Sequence, residues 1–246
     1  MFQIIQPPAL THPAPAALGI APPQSGAGLR SVYVSRDVKA WDLVRLDSIT
    51  SSTRMVKAGS TLFRANDLFQ CIYTIRAGSF KTVVAHRDGG QQVTGFHLID
   101  DALGLDGIYT GHYSCNAVAI EDSNVCIIQF DLLEHLCREV KAIQQHVHRM
   151  ISSEIVRQSE QMVMLGTMSA DQRLAAFLLN MSRRLKVRGC SPVEINLRMT
   201  RNEIGSYLGM QLETVSRMFS KFRLNGLVDT NGKQIRILDL DGLSRV

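Results

Sequence analysis

The stretch 200–221, TRNEIGSYLGMQLETVSRMFSK, most constrains what this chain can fold into. Thr200 and Glu203 have the spacing of a capping box, in which a hydroxyl and a carboxylate satisfy free backbone N–H groups at the start of a helix. Apolar residues follow at helical spacing. Gly209 then lies where the chain must turn, because glycine adopts a left-handed conformation at no steric cost. A second helix is predicted from about residue 211 to 225, so the stretch predicts a helix-turn-helix.

The second predicted helix separates apolar from polar residues. Its N-terminal half is the part that enters the major groove in helix-turn-helix proteins. An arginine there can bond guanine bidentately, a glutamate can accept from a cytosine amine, and a serine can meet thymine. The alternative is an ordinary helical hairpin with a solvated polar face. The predicted base-reading residues are Glu213, Ser216 and Arg217, and those predicted to contact the DNA backbone or support the motif are Thr200, Arg201, Gln211, Thr214 and Lys221.

The residues that follow strengthen the DNA-binding interpretation. Residues 227–237 read LVDTNGKQIRI, which is a strand, an Asn-Gly turn and a second strand. Asn-Gly between two such runs is the strongest short-range signal for a β-hairpin. A helix-turn-helix followed at once by a small hairpin is a winged helix.

The charge of the chain is concentrated in this same region. From residue 168 onward there are 13 Lys and Arg against 7 Asp and Glu. The remainder of the chain has 14 against 15, so the whole basic excess lies in the winged-helix part. This asymmetry is typical of a phosphate-binding domain joined to a neutral one.

Composition predicts a folded protein without a membrane span. No apolar run approaches the ~18 residues that a spanning helix needs, and the N-terminus lacks the basic and apolar blocks of a signal peptide. No nucleophile motif, metal-ligand spacing or phosphate loop indicates an enzyme. No cysteine pair has CxxC spacing, which is typical of reduced thiols in a cytoplasm. The cysteines are Cys71, Cys115, Cys126, Cys137 and Cys190.

The chain before the winged helix predicts a different architecture. Residues 1–30 are rich in Pro, Ala and Gly and are predicted to be mobile. A short helix is predicted over residues 36–49. From residue 53 to about 130, short β-branched or aromatic segments punctuated by glycine predict a jelly-roll or barrel-like β domain.

A long helix is predicted between the two domains, from about residue 143 to 164. Its apolar residues recur with the 4-3-4-3 spacing of a coiled-coil seam, which predicts a homodimer helix. The alternative is a helix that packs on its own β domain. A polar residue within the seam would fix its register. The seam residues are Ile151, Ile155, Gln158, Met162 and Leu165.

Ser169 is predicted to begin a further helix that ends in the basic run 183–188. Basic residues suit a helix C-terminus and nearby phosphate. Cys190 follows this run, which would favour its thiolate and its oxidation; a loop thiol without a role is the alternative. The predicted division is a mobile segment 1–30, a β-roll sensor domain 31–137, a dimerisation helix 138–167 and a winged-helix domain 168–246, which together make an α+β fold.

The order of β-roll, long helix and winged helix resembles the CRP/FNR superfamily of bacterial transcription regulators over nearly all of residues 36–246. ETVSR at 213–217 matches the recognition motif E-x-x-S-R. The resemblance implies a cytoplasmic, dimeric DNA-binding regulator that contacts RNA polymerase. The stretches similar to the FNR branch are GSTLF at 59–63, IYTIRAG at 72–78, TGFHL at 94–98, RLAAF at 173–177 and NEIGSYLG at 202–209.

The first departure from the family concerns cyclic nucleotides. The cAMP receptors of the superfamily hold the ribose with a Gly-Glu pair and the phosphate with a later Arg-Ser pair. The matching positions here are Gly104-Leu105 and Ser114-Cys115. A buried phosphate needs a paired cation, so cAMP binding is disfavoured.

The second departure concerns iron and sulfur. FNR holds a [4Fe-4S] cluster with three clustered N-terminal cysteines and one from the β-roll. Cys126 matches the β-roll ligand, but no cysteine precedes Cys71. One thiolate cannot hold a cubane cluster, and replacement of ligands by His12 or His97 would need an unusual arrangement. Cys126 is therefore predicted to be a small core residue and no cofactor is predicted, with haem, nitric oxide or another small effector in the β-roll as the alternative.

The resemblance also implies an operator. Leu212 stands where cAMP receptors carry an additional arginine, as in FNR, so the expected site is the FNR-like palindrome TTGAT-N4-ATCAA. Cluster-bearing members bind DNA anaerobically, whereas this chain is expected to bind with and without oxygen. A regulatory cyclic-nucleotide-type domain that does not bind DNA is the alternative of another class, and the winged helix and the one-sided charge argue against it.

Overall fold

The computed structural model describes residues 50–85 and 88–246. The predicted mobile segment 1–30, the predicted helix 36–49 and His12 lie outside these ranges.

The first part of the described chain forms two four-stranded antiparallel sheets that share one core. The strands are β1 (Thr50–Val56), β2 (Thr61–Phe63), β3 (Cys71–Ala77), β4 (Phe80–Ala85), β5 (Gln91–His97), β6 (Ala102–Leu103), β7 (Asn116–Ala119) and β8 (Ser123–Gln129). Their orders are β1-β8-β3-β6 and β2-β7-β4-β5. Ile75 and Val125 from one sheet and Phe80 and Ala117 from the other are buried together, which makes this part a β-roll.

Seven helices and a second small sheet are assigned within the described ranges. The helices are α1 (Gly107–Thr110), α2 (Phe130–Glu139), α3 (Lys141–Thr167), α4 (Ala170–Val187), α5 (Arg201–Leu208), α6 (Leu212–Leu224) and α7 (Leu240–Ser244). The small sheet is built from β9 (Glu194–Asn196), β10 (Val228–Asn231) and β11 (Gln234–Ile237), in the order β10-β11-β9.

Helix α3 is long and little covered by the rest of its own chain. It has 27 residues, and its buried residues are Ile143 and Met164, near its two ends. Its N-terminal end packs with α2 on Ile72 and Ile128 of the β-roll. Between these ends its residues are exposed or only partly buried.

Local signals fix the helix-turn-helix. At the start of α5 the Glu203 N–H donates to Thr200 Oγ1 at 3.2 Å, and the Thr200 N–H donates to Glu203 Oε2 at 2.6 Å. Gly209 ends α5 with a φ of +63°, in the left-handed region. A Cβ on Gly205 would lie 2.6 Å from the Met210 carbonyl oxygen, so only glycine allows this approach.

The β-roll and the winged helix share a hydrophobic contact. The centroid of the Phe96 ring of β5 lies 5.1 Å from that of the Tyr207 ring of α5 and 6.0 Å from that of the Phe177 ring of α4. The edge of β5 continues this contact, because the Val93 N–H donates to Ser206 Oγ at 2.8 Å. Helix α5 is thus fixed against the β-roll by both apolar and polar contacts.

The predicted α+β fold is confirmed. The long helix runs from Lys141 to Thr167, two residues beyond the predicted start at 143 and three beyond the predicted end at 164. Strand β9 was not predicted. It has three residues, and a segment of that length carries too few side chains to show a period.

Glu203 generates a prediction about stability and pH. Its carboxylate accepts from Lys81 Nζ at 2.5 Å as well as from Thr200. Burial raises the pKa of Glu203, but the hydrogen bonds from Lys81 and Thr200 outweigh burial and hold its pKa below the ordinary value. A lowered pKa in the folded state stabilises the protein above the unfolded-state pKa, and this contribution is lost as the pH falls through the folded-state value.

Glu203→Gln should therefore lower the free energy of unfolding at pH 7 by roughly 1 kcal/mol. It should also weaken the fall in stability on acidification, since glutamine does not titrate. Denaturant unfolding between pH 3 and pH 7 measures both effects. Glu194→Gln, an exposed position in the same part of the chain, is the control. Equal acid profiles for the Glu203 variant and the unmodified protein would contradict the prediction.

Candidate nucleic-acid interface

Helix α6 exposes the predicted base-reading residues. Its buried residues are Val215, Phe219 and Phe222, which fix the helix on α4 and α5 and turn the opposite side outward. On that outer side Glu213, Ser216 and Arg217 are exposed. Gln211 is the N-cap and is also exposed, without a side-chain capping bond. The Arg217 guanidinium donates to Thr214 Oγ1 at 3.3 Å, one turn earlier on the helix.

Arg201 and Thr200 support the motif from within. The Arg201 guanidinium carbon lies 3.3 Å from the centroid of the Phe219 ring, which is a cation–π contact between the two helices. Burial lowers the pKa of Arg201. Thr200 caps α5, as described above. Arg201 therefore joins α5 to α6, and Thr200 holds the start of α5.

Arg173 is a supporting residue that sequence reasoning did not single out. Its guanidinium donates to the carbonyl oxygens of Leu165 at 2.8 Å, Met168 at 3.0 Å and Leu208 at 3.1 Å. It thereby joins the end of α3 to the end of α5. One signal was available: a cation near the start of a helix is unfavourable for the helix dipole, which indicates that the side chain serves carbonyl groups elsewhere.

Lys221, predicted to contact the DNA backbone, is already engaged. Its Nζ lies 2.5 Å from Asp171 Oδ2 at the start of α4. Lys221 nevertheless remains exposed on α6. At the wing, Lys233 donates to the Arg198 carbonyl oxygen at 2.8 Å, and Arg236 of β11 is exposed.

The basic run 183–188 does not face phosphate as a whole, which corrects the sequence-based expectation. Arg184 and Arg188 both form ion pairs with Asp101 of the β-roll, the second at 2.7 Å. Arg184 also donates to the Phe96 carbonyl oxygen at 2.9 Å. Both guanidinium groups are thus used to join α4 to the β-roll. Cys190 is exposed after the run, with its Sγ 3.9 Å from the Arg188 carbonyl oxygen.

Matches to known protein families agree with this geometry. A family model described as a cyclic nucleotide-binding domain matches residues 53–140, and one described as a Crp-like helix-turn-helix domain matches residues 172–246. The transcriptional regulatory protein btr of Bordetella pertussis is 40% identical over 222 residues, which cover 90% of this chain and 92% of that protein. The chain belongs to the CRP/FNR family of transcription regulators.

Two further comparisons lead to the same family. The fumarate and nitrate reduction regulatory protein of Escherichia coli is 39% identical over 205 residues, 83% of this chain and 82% of that protein. The solved structure of FixK2 from Bradyrhizobium japonicum superposes with a TM-score of 0.72 at 27% identity, covering 79% of this chain and 96% of that one. This CRP/FNR regulator is therefore a DNA-binding protein, and its relatives are regulators rather than enzymes.

The cyclic-nucleotide positions of this regulator are occupied by its own groups. The Asp106 carboxylate accepts from the Ser114 N–H at 2.6 Å and lies 3.6 Å from Cys115 Sγ. The Tyr113 ring stacks on Phe63 with centroids 4.0 Å apart. A Cβ on Gly104 would lie 2.9 Å from the Tyr113 ring. The Asp106 carboxylate is therefore engaged with Ser114 and Cys115, the pair predicted to match the phosphate-binding positions.

The β-roll cysteine, Cys126, is buried within a sheet. Cys126 is 1% exposed on β8, between β1 and β3. Within the described ranges, no group of three or more His, Cys, Asp or Glu side chains is arranged to hold a metal ion. Residues 1–49 contribute no cysteine. These residues do not fit the four-thiolate cluster of FNR.

The predicted seam lies on the uncovered side of α3. Ile155 is 60% exposed and Met162 is 71% exposed, while Ile151 and Leu165 are partly buried. Gln158 is exposed and donates to Glu154 Oε1 at 3.1 Å. In the part of the chain that the structure describes, no helix is long and apolar enough to cross a membrane.

Proposed function

We propose that this regulator binds as a homodimer to the palindrome TTGAT-N4-ATCAA and contacts RNA polymerase there, in the cytoplasm. The observation that carries the proposal is the exposed group of Glu213, Ser216 and Arg217 at the start of α6. These residue types can read cytosine, thymine and guanine in the major groove. Helix α6 is held by buried contacts on its other side, so its reading residues are presented on a rigid support.

Dimer formation is supported by the outer side of α3. Ile155 and Met162 are large, apolar and mostly exposed, although they lie on a well-formed helix of 27 residues. A second α3 would bury this row and provide the two-fold symmetry that an inverted-repeat operator requires. Because Gln158 is uncharged, it adds no repulsion where the two helices meet.

Assembly of this dimer does not depend on a cluster or on cAMP in our proposal. Support comes from the Asp106 carboxylate at the nucleotide positions and from the burial of Cys126. Regulation then comes from the amount of protein, from another ligand of the β-roll such as haem or a small effector, or from oxidation of an exposed thiol. Cys190 is exposed and is the candidate for the last route.

Arg217→Ala tests base reading. The variant should lose about 1–3 kcal/mol of operator binding and relax the preference for guanine in TTGAT, because one bidentate contact disappears. Titrations with the palindrome and with a G-to-A version of each half-site measure this preference. Arg223→Ala removes the same charge from the last turn of α6 and should leave base preference unchanged. Retained guanine preference in the Arg217 variant would show that another residue reads this base.

Ile155→Glu tests the dimer. It would place two like charges against each other in a poorly solvated seam. Sedimentation should show a monomer, and operator binding should fall with it because a single half-site is weak. Val187→Glu introduces the same charge at an exposed apolar position on α4 and should remain dimeric. A fully dimeric Ile155 variant would assign the seam to contacts within one subunit.

Oxygen provides the third test. Protein purified under air and under nitrogen should bind the operator with equal affinity, since assembly needs no oxygen-labile cluster. Iron and acid-labile sulfide are assayed on both samples, and an absorption spectrum detects haem. Stoichiometric iron and sulfide in the anaerobic sample, with binding lost in air, would exclude the cluster-free proposal.

A further inference from the structure

Lys221 of the DNA-facing helix is paired with a carboxylate, which is an anionic acceptor as a DNA phosphate is. Lys221 follows Glu213 and Arg217 at intervals of four residues, so the three side chains form one row on α6. Its Nζ lies 2.5 Å from Asp171 Oδ2. The side chains of Lys221 and Asp171 are 52% and 25% exposed, so the ion pair lies at the edge of the protein surface.

Asp171 is the fixed member of this pair. It lies in the first turn of α4, where the helix dipole favours a negative charge. The same turn is held by the capping box of Ser169 and Gln172, in which the Ser169 N–H donates to Gln172 Oε1 at 3.0 Å. Lys221, by contrast, carries its charge on a flexible four-carbon stem. Lys221 can therefore change partner while Asp171 stays in place.

The pair is more exposed than two ion pairs that join the β-roll to the winged-helix part. Lys81 and Glu203 leave 22% and 18% of their side chains exposed, and Arg184 and Asp101 leave 15% and 22%. Those pairs are also tied to backbone groups of the two domains. Exposed ion pairs are weak and are screened by salt. Of these three pairs, Lys221–Asp171 is the most accessible to an external anion, and its lysine lies on α6.

We propose that Asp171 is an internal competitor of DNA: it occupies Lys221 in the free protein and is exchanged for a backbone phosphate when α6 binds. This inference rests on the proposed function and adds a residue that sets the strength of backbone binding. The Asp171 carboxylate neutralises Lys221 before binding and remains near the phosphate after the exchange. It therefore lowers affinity for every DNA sequence and reduces the number of cations that act on the DNA.

Asp171→Asn tests the exchange, since it removes the charge and keeps the shape. Affinity for the operator and for unrelated duplex DNA should both rise, by about 3–10-fold at low salt. The slope of log K against log salt concentration should become steeper, by at most about 0.9, the value for one phosphate contact, because the bound surface gains one net positive charge. The ratio of operator to unrelated affinity should stay the same, because phosphate contacts carry no sequence information.

A second substitution shows whether the effect passes through Lys221. Lys221→Ala alone should weaken binding to all sequences alike and make the salt slope shallower. In the Lys221→Ala background, Asp171→Asn should leave the salt slope unchanged. It should change the affinity by no more than about 2-fold. Glu134→Gln, which removes the same charge from an exposed pair with Arg138 on α2, controls for net charge. Melting curves of each variant confirm that it is folded.

Several results would overturn the inference. Weaker binding by the Asp171 variant would mean that Asp171 positions Lys221 for DNA and does not compete with it. An equal gain in the Lys221→Ala background, or from Glu134→Gln, would mean that general charge is responsible. An unchanged salt slope would exclude the exchange, and the slope does not depend on the fraction of active protein. Absence of operator binding by the unmodified protein would instead refute the proposed function.

Discussion

The contact of Phe96 with Tyr207 and Phe177 is the interaction on which the rest of the structure depends. It places a β-roll side chain within the apolar core of the DNA-binding half, so the two halves share one buried cluster. Burial of these rings also brings polar groups out of water, and such groups require partners. Lys81 of the β-roll forms an ion pair with Glu203 of α5, the helix that supports α6. The position of the reading helix is therefore set by the β-roll as well as by its own motif.

The features that sequence predicted well are those determined by a few neighbouring residues. The cap at Thr200, the left-handed turn at Gly209 and the hairpin turn at Gly232 each need one residue type at one position, and all three form as predicted. The two ion pairs of Asp101 lie beyond such reasoning, because Asp101 and Arg184 are joined only by the fold. Strand β9 was missed because it is defined by pairing with β11 and not by its own pattern.

The charge asymmetry of the sequence correctly indicated which domain is basic. It did not indicate which of the basic side chains are on the DNA-facing surface. Some of the basic side chains pair with carboxylates of the β-roll. Arg184 pairs with Asp101, and Arg198 pairs with Glu121 at 3.2 Å. A count along the chain cannot separate these cations from those that face DNA, because it does not include the geometry of their partners. Arg217 lies on the outer row of α6, where its guanidinium donates to the neutral hydroxyl of Thr214. Thr214 does not neutralise its charge, as the proposed guanine contact requires.

Helix α3 links the β-roll to the proposed dimer seam through residues two positions apart. Arg157 points inward, donating to the Phe96 carbonyl oxygen at 3.3 Å and meeting His97 Nδ1 at 3.4 Å, while Ile155 points outward. Arginine has no acceptor, so Nδ1 must carry the lone pair and Nε2 the proton that faces Thr82.

Burial, followed by the charges of Arg157 and Arg184, holds the pKa of His97 well below its ordinary value of 6.5. The stability that depends on neutral His97 is therefore complete above pH 6.5 and is lost as the pH falls from there toward the folded-state pKa. Near neutral pH the imidazole keeps its lone pair for Arg157. The contact that joins β5 to α3 therefore does not depend on a charge on His97.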